Sequence, residues 1–399
     1  MIDSDVYNIV LDRENDSKAE KYGLKEELFG TTDVIPMWVA DMDIVTPQCI
    51  TDAVSLRAKH HIYGYEMMPQ SAFEAQCEWM KHHFNWKISR DEMFYSHSVV
   101  ASINIAIHAF TKEGDGIIVM PPIYPPFMGS IDNNRRKMVR CALFQDKNQN
   151  NKYCIDFEKL ETLVDENTKL LLLCSPHNPV GRVWSKEELQ KLANFCLEHN
   201  ITIFSDEIHS DLVYAPHVHT PMATLSQKVS DITVTAIGPG KTFNCAALAI
   251  STVVVQNKAL YKKYHDAYEA VHFAQGTSFG HAGFEAVYRG GYEWYQGLLK
   301  HLQSNIDDVE NLVTKHHDKI FMNAAEGTYL LWLDCSGLCK KLGLNNRGLR
   351  EFFIKKAKLG LSPGISFAKE GDLFMRMNIA VPKQTLTKAL MQLDEALQF

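Results

Sequence analysis

Short apolar runs alternate with amphipathic segments through the middle of the chain. Five of these runs are bounded by turn residues, as is typical of buried strands; they span 116–120, 169–174, 201–205, 232–236 and 248–255. The segment 185–199 predicts a helix, with Ser185 as its N-cap and Glu188 completing a capping box. Strands that alternate with helices predict an α/β fold with a largely parallel sheet.

The pattern changes after about residue 285, where strands and helices mix differently. A long amphipathic stretch over 292–317 predicts a helix. Beyond it, we expect strands at 328–333 and 374–378 and helices at 346–358 and from 383 to the end. This mixture suits a smaller α+β domain.

The length of the chain also favours two domains. It has 399 residues, 46% of them hydrophobic, which exceeds the roughly 250–300 residues that one core usually serves. We therefore divide it into an N-terminal arm (1–46) that joins the small domain, a large domain (47–284) and a small C-terminal domain (285–399).

Composition excludes several classes of function. The formal charge is −7 and no basic stretch occurs, so we expect no nucleic-acid partner. The acidic N-terminus lacks an apolar segment, and no apolar run approaches the roughly 20 residues that span a bilayer; we expect neither a signal peptide nor a membrane partner. Nine irregularly spaced cysteines predict reduced thiols, a cytoplasmic location and no metal site.

Three polar segments each follow a predicted strand directly. They are Ser-Pro-His-Asn-Pro-Val-Gly-Arg at 175–182, Ser-Asp-Glu-Ile-His-Ser-Asp at 205–211 and Gly-Pro-Gly-Lys-Thr-Phe-Asn at 238–244. The carboxyl ends of parallel strands meet at one edge of a sheet, where open α/β sheets bind their ligands. The three segments therefore predict one binding site.

Within these segments, Lys241, Asp206 and Asn178 each allow two interpretations. Lys241 is either a loop lysine in water or a catalytic lysine whose pKa the site lowers, with Gly238 and Gly240 letting backbone N–H groups approach a phosphate. Asp206 is either a helix N-cap or a carboxylate held ionised beside a pyridine nitrogen. Asn178 either starts a turn or donates to a phenolate oxygen of a cofactor.

Tyr124 and Arg376 lie outside the three segments and are equally ambiguous. Tyr124 lies in a proline-rich loop, Pro-Pro-Ile-Tyr-Pro-Pro, and is either a surface residue or a platform that stacks on a planar ring. Arg376 interrupts an apolar strand, and a buried arginine needs an anionic partner. That partner is either an internal carboxylate or the carboxylate of a substrate.

The order of these motifs resembles that of the fold-type I pyridoxal 5′-phosphate (PLP) enzymes. More narrowly, the chain is similar to the cystathionine β-lyase (MalY/PatB) subgroup of the class I/II aminotransferase family. The motifs that carry this likeness are Pro-Met-Trp-Val-Ala-Asp-Met-Asp at 36–43, Tyr-Gly-Tyr at 63–65, Pro-Pro-Ile-Tyr at 121–124, Glu-Gly-Thr-Tyr at 326–329 and Trp-Leu-Asp at 332–334. The resemblance implies a three-layer α/β/α large domain with a mainly parallel seven-stranded sheet, PLP as cofactor and a homodimer with shared active sites.

The resemblance also implies roles for individual residues. Lys241 carries PLP as a Schiff base and moves protons, Asp206 pairs with the pyridine nitrogen, and Tyr124 assists catalysis. Other cofactor contacts are implied for Asn178 and His209 at the phenolate oxygen, for Tyr124 on the ring, for Ser98, Val99, Val100 and Gly240 at the phosphate, and for Tyr65 at the phosphate of the neighbouring subunit. The implied substrate contacts are Arg376 at the α-carboxylate, and Ala40, Asn178 and Tyr124 nearby.

The chain departs from the subgroup's pattern around the cofactor phosphate. Relatives carry serine directly before the lysine and often again two residues earlier, where this chain has Gly240 and Gly238. His97 and Ser98 replace Pro-Gly, and Ser362 replaces asparagine. We expect each lost hydroxyl to weaken cofactor binding by about 1 kcal/mol unless another group replaces it; Ser98 is one candidate.

The function implied is a carbon–sulfur β-lyase that converts cystathionine or a cysteine conjugate to a thiol, pyruvate and ammonia. An aminotransferase uses the same residues, so this alternative stays open. A third hypothesis is that the protein is a degenerate member of the fold that acts by binding a partner. The missing serines motivate it.

Overall fold

Helices and strands alternate through most of the computed structural model, which describes residues 4–15, 18–272 and 276–399. The first elements are α1 (Glu20–Gly23), α2 (Lys25–Phe29) and β1 (Ile35–Pro36). The middle of the chain forms α3 (Gln48–Ala58), α4 (Gln70–Phe84), β2 (Met93–Ser96), α5 (Val99–Phe110), β3 (Gly116–Val119), α6 (Pro125–Asn133), β4 (Lys137–Arg140), β5 (Phe144–Asp146), β6 (Lys152–Cys154), α7 (Phe157–Leu163), β7 (Thr168–Cys174), α8 (Lys186–Glu198), β8 (Thr202–Asp206), α9 (Gln227–Ser230), β9 (Thr233–Ile237), β10 (Ser251–Val254), α10 (Lys258–Ala270) and α11 (Ser278–Gly290). The last part forms α12 (Tyr292–Lys315), β11 (Phe321–Met322), β12 (Leu330–Asp334), α13 (Ser336–Leu342), α14 (Asn346–Lys355), β13 (Leu359–Gly360), β14 (Ser362–Pro363), β15 (Phe374–Asn378) and α15 (Lys383–Ala396).

Seven strands form the central sheet, in the order β2-β10-β9-β8-β7-β3-β4. The strands from β9 to β4 pair in parallel, and β10 runs antiparallel to both of its neighbours. The expected α/β fold with a mainly parallel seven-stranded sheet is therefore confirmed. The antiparallel direction of β10 was not part of that expectation.

The side chains of β7 show why this sheet is covered on both faces. Leu170 and Leu172 pack with residues of α5, α6 and α10, whereas Leu171 and Leu173 pack with residues of α7 and α8. All four side chains are fully buried. Successive residues of a strand point to opposite faces, so a continuous apolar run requires helices on both sides.

The C-terminal elements build a second sheet, which is antiparallel and ordered β11-β12-β15-β14. The arm joins this part of the chain because β1 pairs in parallel with β13, Ile35 opposite Leu359. The boundaries after residues 46 and 284 stay a prediction. Among the described helices, none is long and apolar enough to cross a membrane.

Serine side chains cap the starts of two helices, of which the cap at α8 was expected from the sequence and the cap at α5 was not. Ser185 accepts the backbone N–H of Glu188, and the Glu188 side chain accepts the N–H of Ser185, which confirms the capping box at α8. Ser98 caps α5 by accepting the N–H of Ala101. Because α5 begins directly after β2, this cap fixes where its first turn meets the edge of the sheet.

A buried ion pair joins the polar loop after β7 to the loop before β12. Arg182 Nε lies 2.8 Å from Glu326 Oε2, which also accepts the backbone N–H of Val183 at 2.8 Å. A second carboxylate, that of Glu188, lies 2.7 Å from Arg182 Nη2. The loop that ends at Arg182 carries Asn178, so this pair positions one side of the candidate site.

We expect Arg182→Met to lower the free energy of unfolding by about 3 kcal/mol, because it leaves the buried Glu326 carboxylate with only the more distant Lys152 ammonium, 3.9 Å away. Arg347→Met removes an exposed arginine paired with Glu351 and is the control; it should change stability by no more than about 1 kcal/mol. Urea unfolding curves measure both values. Equal losses in the two variants would contradict a structural role for the buried pair.

Candidate active site

A cavity of about 560 Å³ opens where β7, β8 and β9 end. Eleven of the twelve predicted site residues line it: Ala40, Ser98, Val99, Val100, Tyr124, Asn178, Asp206, His209, Gly240, Lys241 and Arg376. Tyr65 does not; its side chain is exposed on the surface. The fold therefore brings together residues from the arm, the start of α5, the segments that follow β3, β7, β8 and β9, and β15.

The Lys241 side chain extends from the loop after β9 into this cavity. Its Nζ donates a hydrogen bond to the Ala40 carbonyl at 2.7 Å. Burial lowers the pKa of Lys241; the charge of Arg376 acts in the same direction, and Asp41 and Asp206 oppose it. The lysine is therefore not a solvated loop residue, and the lowered pKa favours the neutral amine that acts as a nucleophile or base.

Asp206 ends β8 and is buried at the floor of the cavity. Its Oδ1 accepts the backbone N–H of Ile208 at 3.1 Å, within a turn that does not continue as a helix. No cation among the described residues lies within ion-pair distance of the carboxylate. Burial consequently raises the pKa of Asp206 to about 7. A protonated ring nitrogen placed here would supply the missing positive charge.

Arg376 is buried on β15 and contacts only neutral acceptors in the described structure. Nη1 donates to Asn178 Oδ1 at 3.1 Å, and Nη2 donates to the Trp38 carbonyl at 2.7 Å and to Ser362 Oγ at 3.4 Å. Nε has no partner there. Burial lowers the pKa of Arg376 to about 10. The internal salt bridge considered from the sequence is therefore wrong, and the cation stays available for an anionic ligand.

Asn178, His209 and Tyr124 surround the same space. The Asn178 carbonyl accepts the backbone N–H of Tyr124 at 3.1 Å, so the two loops are linked. Burial lowers the pKa of His209 to about 3, and its Nδ1 is buried without a partner in the described part of the chain. Burial raises the pKa of Tyr124, so its hydroxyl stays protonated at neutral pH. Each group thus keeps a neutral polar atom for a bound ring.

Comparison with known proteins agrees with this geometry. The model of the family "Aminotransferase class I and II" matches residues 33–393. The chain belongs to the class I and II aminotransferase family. It is 37% identical to cystathionine beta-lyase PatB of Bacillus subtilis (strain 168) over 382 residues, which are 96% of this chain and 97% of PatB.

Solved structures of this aminotransferase family extend the likeness to the fold. One is a PLP-bound putative aminotransferase from Clostridium difficile 630, with a TM-score of 0.94 and 38% identity; the match covers 98% of this chain and 99% of that one. Another is a PLP-bound C-S lyase from Staphylococcus hominis, with a TM-score of 0.89, 30% identity and 98% coverage of both chains.

In this aminotransferase fold, the first turn of α5 forms one end of the cavity. Ser98 Oγ accepts the Ala101 N–H at 3.2 Å, so the hydroxyl can still donate its own proton. The N–H groups of Val99 and Val100 are the first of the helix and have no intrahelical acceptor. Such a helix start suits an anionic group, and both residues line the cavity together with Gly240.

The aminotransferase-family cavity also depends on residues that we did not assign from the sequence. The Trp38 carbonyl binds Arg376, and Tyr329 donates to the Ala40 carbonyl at 3.0 Å. Asn378 Nδ2 donates to the carbonyls of Val39 at 2.7 Å and Asp41 at 2.5 Å. Trp38 and Tyr329 lie in motifs quoted for the resemblance, which was the only signal for them. The Trp38 carbonyl, like any backbone carbonyl, has no signature in the sequence.

We predict that Asp206 makes the cofactor-free protein less stable as the pH rises. Its pKa is raised from 3.8 to about 7 on folding, so in that window Asp206 binds a proton in the folded state and not in the unfolded state, and its contribution to the free energy of unfolding falls with increasing pH. The buried histidines His177 and His209, whose pKa values burial lowers to about 4 and about 3, contribute with the opposite sign. The test is therefore the difference between variants: between pH 4 and 7, the slope of the unfolding free energy against pH should be more positive in Asp206→Asn than in the wild type, measured by urea unfolding at several pH values. Asp91→Asn, at an exposed carboxylate, should keep the wild-type slope. An unchanged slope in Asp206→Asn would contradict the prediction.

Proposed function

We propose that this protein is a PLP-dependent carbon–sulfur β-lyase that cleaves cystathionine or a cysteine conjugate. One substrate and one water would yield a thiol, pyruvate and ammonia. The observation that supports this best is the convergence in one cavity of an amine with a lowered pKa, a carboxylate that pairs with no cation of the described residues and a guanidinium that pairs with no anion of them. The 37% identity to a cystathionine beta-lyase over nearly the whole chain supports the lyase reaction.

The residues present fit PLP on their own chemistry. When bound, PLP supplies an electron sink that stabilises negative charge at the substrate's Cα. Lys241 would hold its aldehyde carbon, Asp206 its ring nitrogen, and the start of α5 its phosphate. Asn178 and His209 would contact its phenolate oxygen, and Tyr124 would stack on the ring. The unpartnered Nδ1 of His209 and the uncompensated Asp206 are the buried groups that such a ring would satisfy.

Arg376 would orient the substrate by its α-carboxylate. The unpartnered Nε and remaining N–H groups face a cavity in which no described carboxylate contacts the guanidinium. Because Trp38 and Asn178 already fix two of its N–H groups, the guanidinium plane is set before substrate binds. A carboxylate held on this plane limits which bond at Cα faces Lys241.

Lys241 would carry the protons. Its lowered pKa favours the neutral amine, and in this form it would take the proton from Cα. The same ammonium can then protonate the leaving sulfur, so one proton moves from carbon to thiolate and the Cβ–S bond breaks. Tyr124, protonated because burial raises its pKa, is a second donor within the same wall.

The rival activity is amino transfer, since the solved structure with a TM-score of 0.94 is described as a putative aminotransferase. Both reactions begin with removal of the Cα proton by the same lysine. They differ in whether a thiol leaves Cβ or the amino group passes to a keto acid. A non-catalytic regulatory role is less consistent with the structure, because all the predicted catalytic groups line one cavity.

The holoenzyme should release pyruvate and thiol in equal amounts from cystathionine with no keto acid added. Lys241→Ala should lower this rate by about 10³-fold, because it removes the proton-transfer group. Pyruvate is followed with lactate dehydrogenase and the thiol with a disulfide reagent. Lys228→Ala, at an exposed lysine of α9 that does not line the cavity, is the matched control and should keep the wild-type rate. Amino transfer to a keto acid without pyruvate would contradict the lyase.

A homodimer with shared sites is the assembly that we propose, in the cytoplasm. Exposed apolar side chains cluster in the irregular segment between α3 and α4, namely Ile62, Tyr63, Tyr65 and Met67. The Tyr63 hydroxyl already donates to the Ala58 carbonyl of its own chain, whereas the Tyr65 side chain is fully exposed. Tyr65 is therefore the better candidate to reach a neighbouring subunit. All nine cysteines are free, which suits a reducing compartment.

Shared sites predict complementation between two inactive variants. Lys241→Ala and Tyr65→Ala should each have low activity alone, but a mixed dimer restores one complete site. Purified mixed dimers have one complete site of two and should then give up to about half of the wild-type rate. The measurement is lyase activity after co-expression of differently tagged chains and tandem purification. Pairing Lys241→Ala with Tyr63→Ala is the control for a general effect of that segment. Failure of the first mixture to exceed the sum of its separate parts would contradict a shared site at Tyr65.

A further inference from the structure

The backbone at Gly238 has no room for a side chain. A Cβ built there would lie 2.9 Å from Ser251 Cβ and 3.0 Å from Ser251 Cα. The φ angle of Gly238 lies outside the left-handed region, so its backbone conformation does not require glycine. The close approach of the neighbouring strand does require it. At Gly240, in contrast, the nearest atom would be Ala246 Cα at 3.4 Å, an ordinary contact. The two serines that relatives carry are therefore absent for different reasons.

Ser251 occupies the space beside Gly238. It begins β10, is only 3% exposed and lines the cavity. Its Cα partner across the sheet is Ser96, the last residue of β2. Because Ser96 lies two residues before Ser98, the cap of α5, this pairing places Ser251 next to the helix start that would hold a phosphate.

The Ser251 hydroxyl is weakly engaged in its own chain. It donates to the Ser96 carbonyl at 3.1 Å, whereas the usual distance for such a bond is about 2.7–2.8 Å. Rotation about one bond can redirect the proton toward the cavity. A hydrogen bond to a charged oxygen is stronger than one to a neutral carbonyl. The Ser251 hydroxyl would therefore donate to a phosphate in preference to the Ser96 carbonyl.

We propose that Ser251 donates a hydrogen bond to the phosphate of PLP, replacing from β10 the hydroxyl that relatives place at the position of Gly238. The placement of Ser251 beside the phosphate requires glycine at position 238, because any side chain there would push Ser251 away. The role presupposes the proposed binding of PLP with its phosphate at the start of α5.

Cofactor affinity tests this without measuring activity. Ser251→Ala should weaken binding of PLP to the apoprotein by about tenfold. The absorbance of the bound cofactor measures this affinity. Its affinity for pyridoxal, which lacks the phosphate, should stay within about twofold of wild type. The control is Ser102→Ala: Ser102 is also buried and donates to Ser96 Oγ, but it does not line the cavity. It should leave both affinities within about twofold.

Moving the hydroxyl from position 251 to position 238 tests whether side chains at these two positions exclude each other. Gly238→Ser alone should lower both the melting temperature and the PLP affinity, because its Cβ meets Ser251. Ser251→Gly alone should lose PLP affinity. The double variant removes the Ser251 Cβ, the nearer of the two opposing atoms, keeps the 3.0 Å approach to the Cα of residue 251, and returns a hydroxyl from the other strand. It should therefore bind PLP more tightly than the weaker of the two single variants.

Two results would overturn the assignment. One is a Ser251→Ala protein that binds PLP as well as wild type, or that loses PLP and pyridoxal affinity equally. The other is a double variant that binds PLP no more tightly than the weaker-binding of the two single variants. A wild-type protein that binds no PLP would instead contradict the proposed function, so the two failures are distinguishable.

Discussion

The buried guanidinium of Arg376 is the group on which the geometry of the site depends. From β15 it binds the arm through the Trp38 carbonyl, the loop after β7 through Asn178, and β14 through Ser362. The ring of Phe367 lies 4.6 Å from the guanidinium carbon. Each acceptor is neutral, so a single unpaired cation holds three separate parts of the chain around one cavity. Removing that cation would loosen all three together.

Arg376 shares the cavity with two other ionisable groups that the fold buries, Lys241 and Asp206. The same burial lowers the pKa of Lys241 and raises that of Asp206, since in each case it disfavours the charged form. Buried charges without partners destabilise a protein, and they cluster at functional sites because a ligand supplies the missing charges. Here the ligands with the right charges are a protonated ring, a phosphate and a carboxylate. The ion pair between Arg182 and Glu326 differs from these groups, because both of its charges belong to the chain and it only positions the two loops that it joins.

Much of the fold was predictable because its strands are short, apolar and bounded by turns. The polar residues at the strand ends, Asn178, Asp206 and Lys241, followed from the same pattern, since parallel strands bring their carboxyl ends to one edge. The contacts made by the Trp38 and Ala40 carbonyls were not predictable, because every residue has a carbonyl. The antiparallel direction of β10 was equally hidden, and with it the close approach of this strand that excludes a side chain at position 238.

The arm has a larger part in the chemistry than its small size suggests. The Ala40 carbonyl accepts both the Lys241 amine, at 2.7 Å, and the Tyr329 hydroxyl, at 3.0 Å. Asn378 fixes the carbonyls on either side of Ala40, those of Val39 and Asp41. Elimination and amino transfer use the same lysine, and holding its amine in one place relative to the substrate's Cβ favours some proton transfers over others. In this structure that place is set by a backbone carbonyl of the segment 36–43, which is also one of the segments whose sequence resembles the lyases.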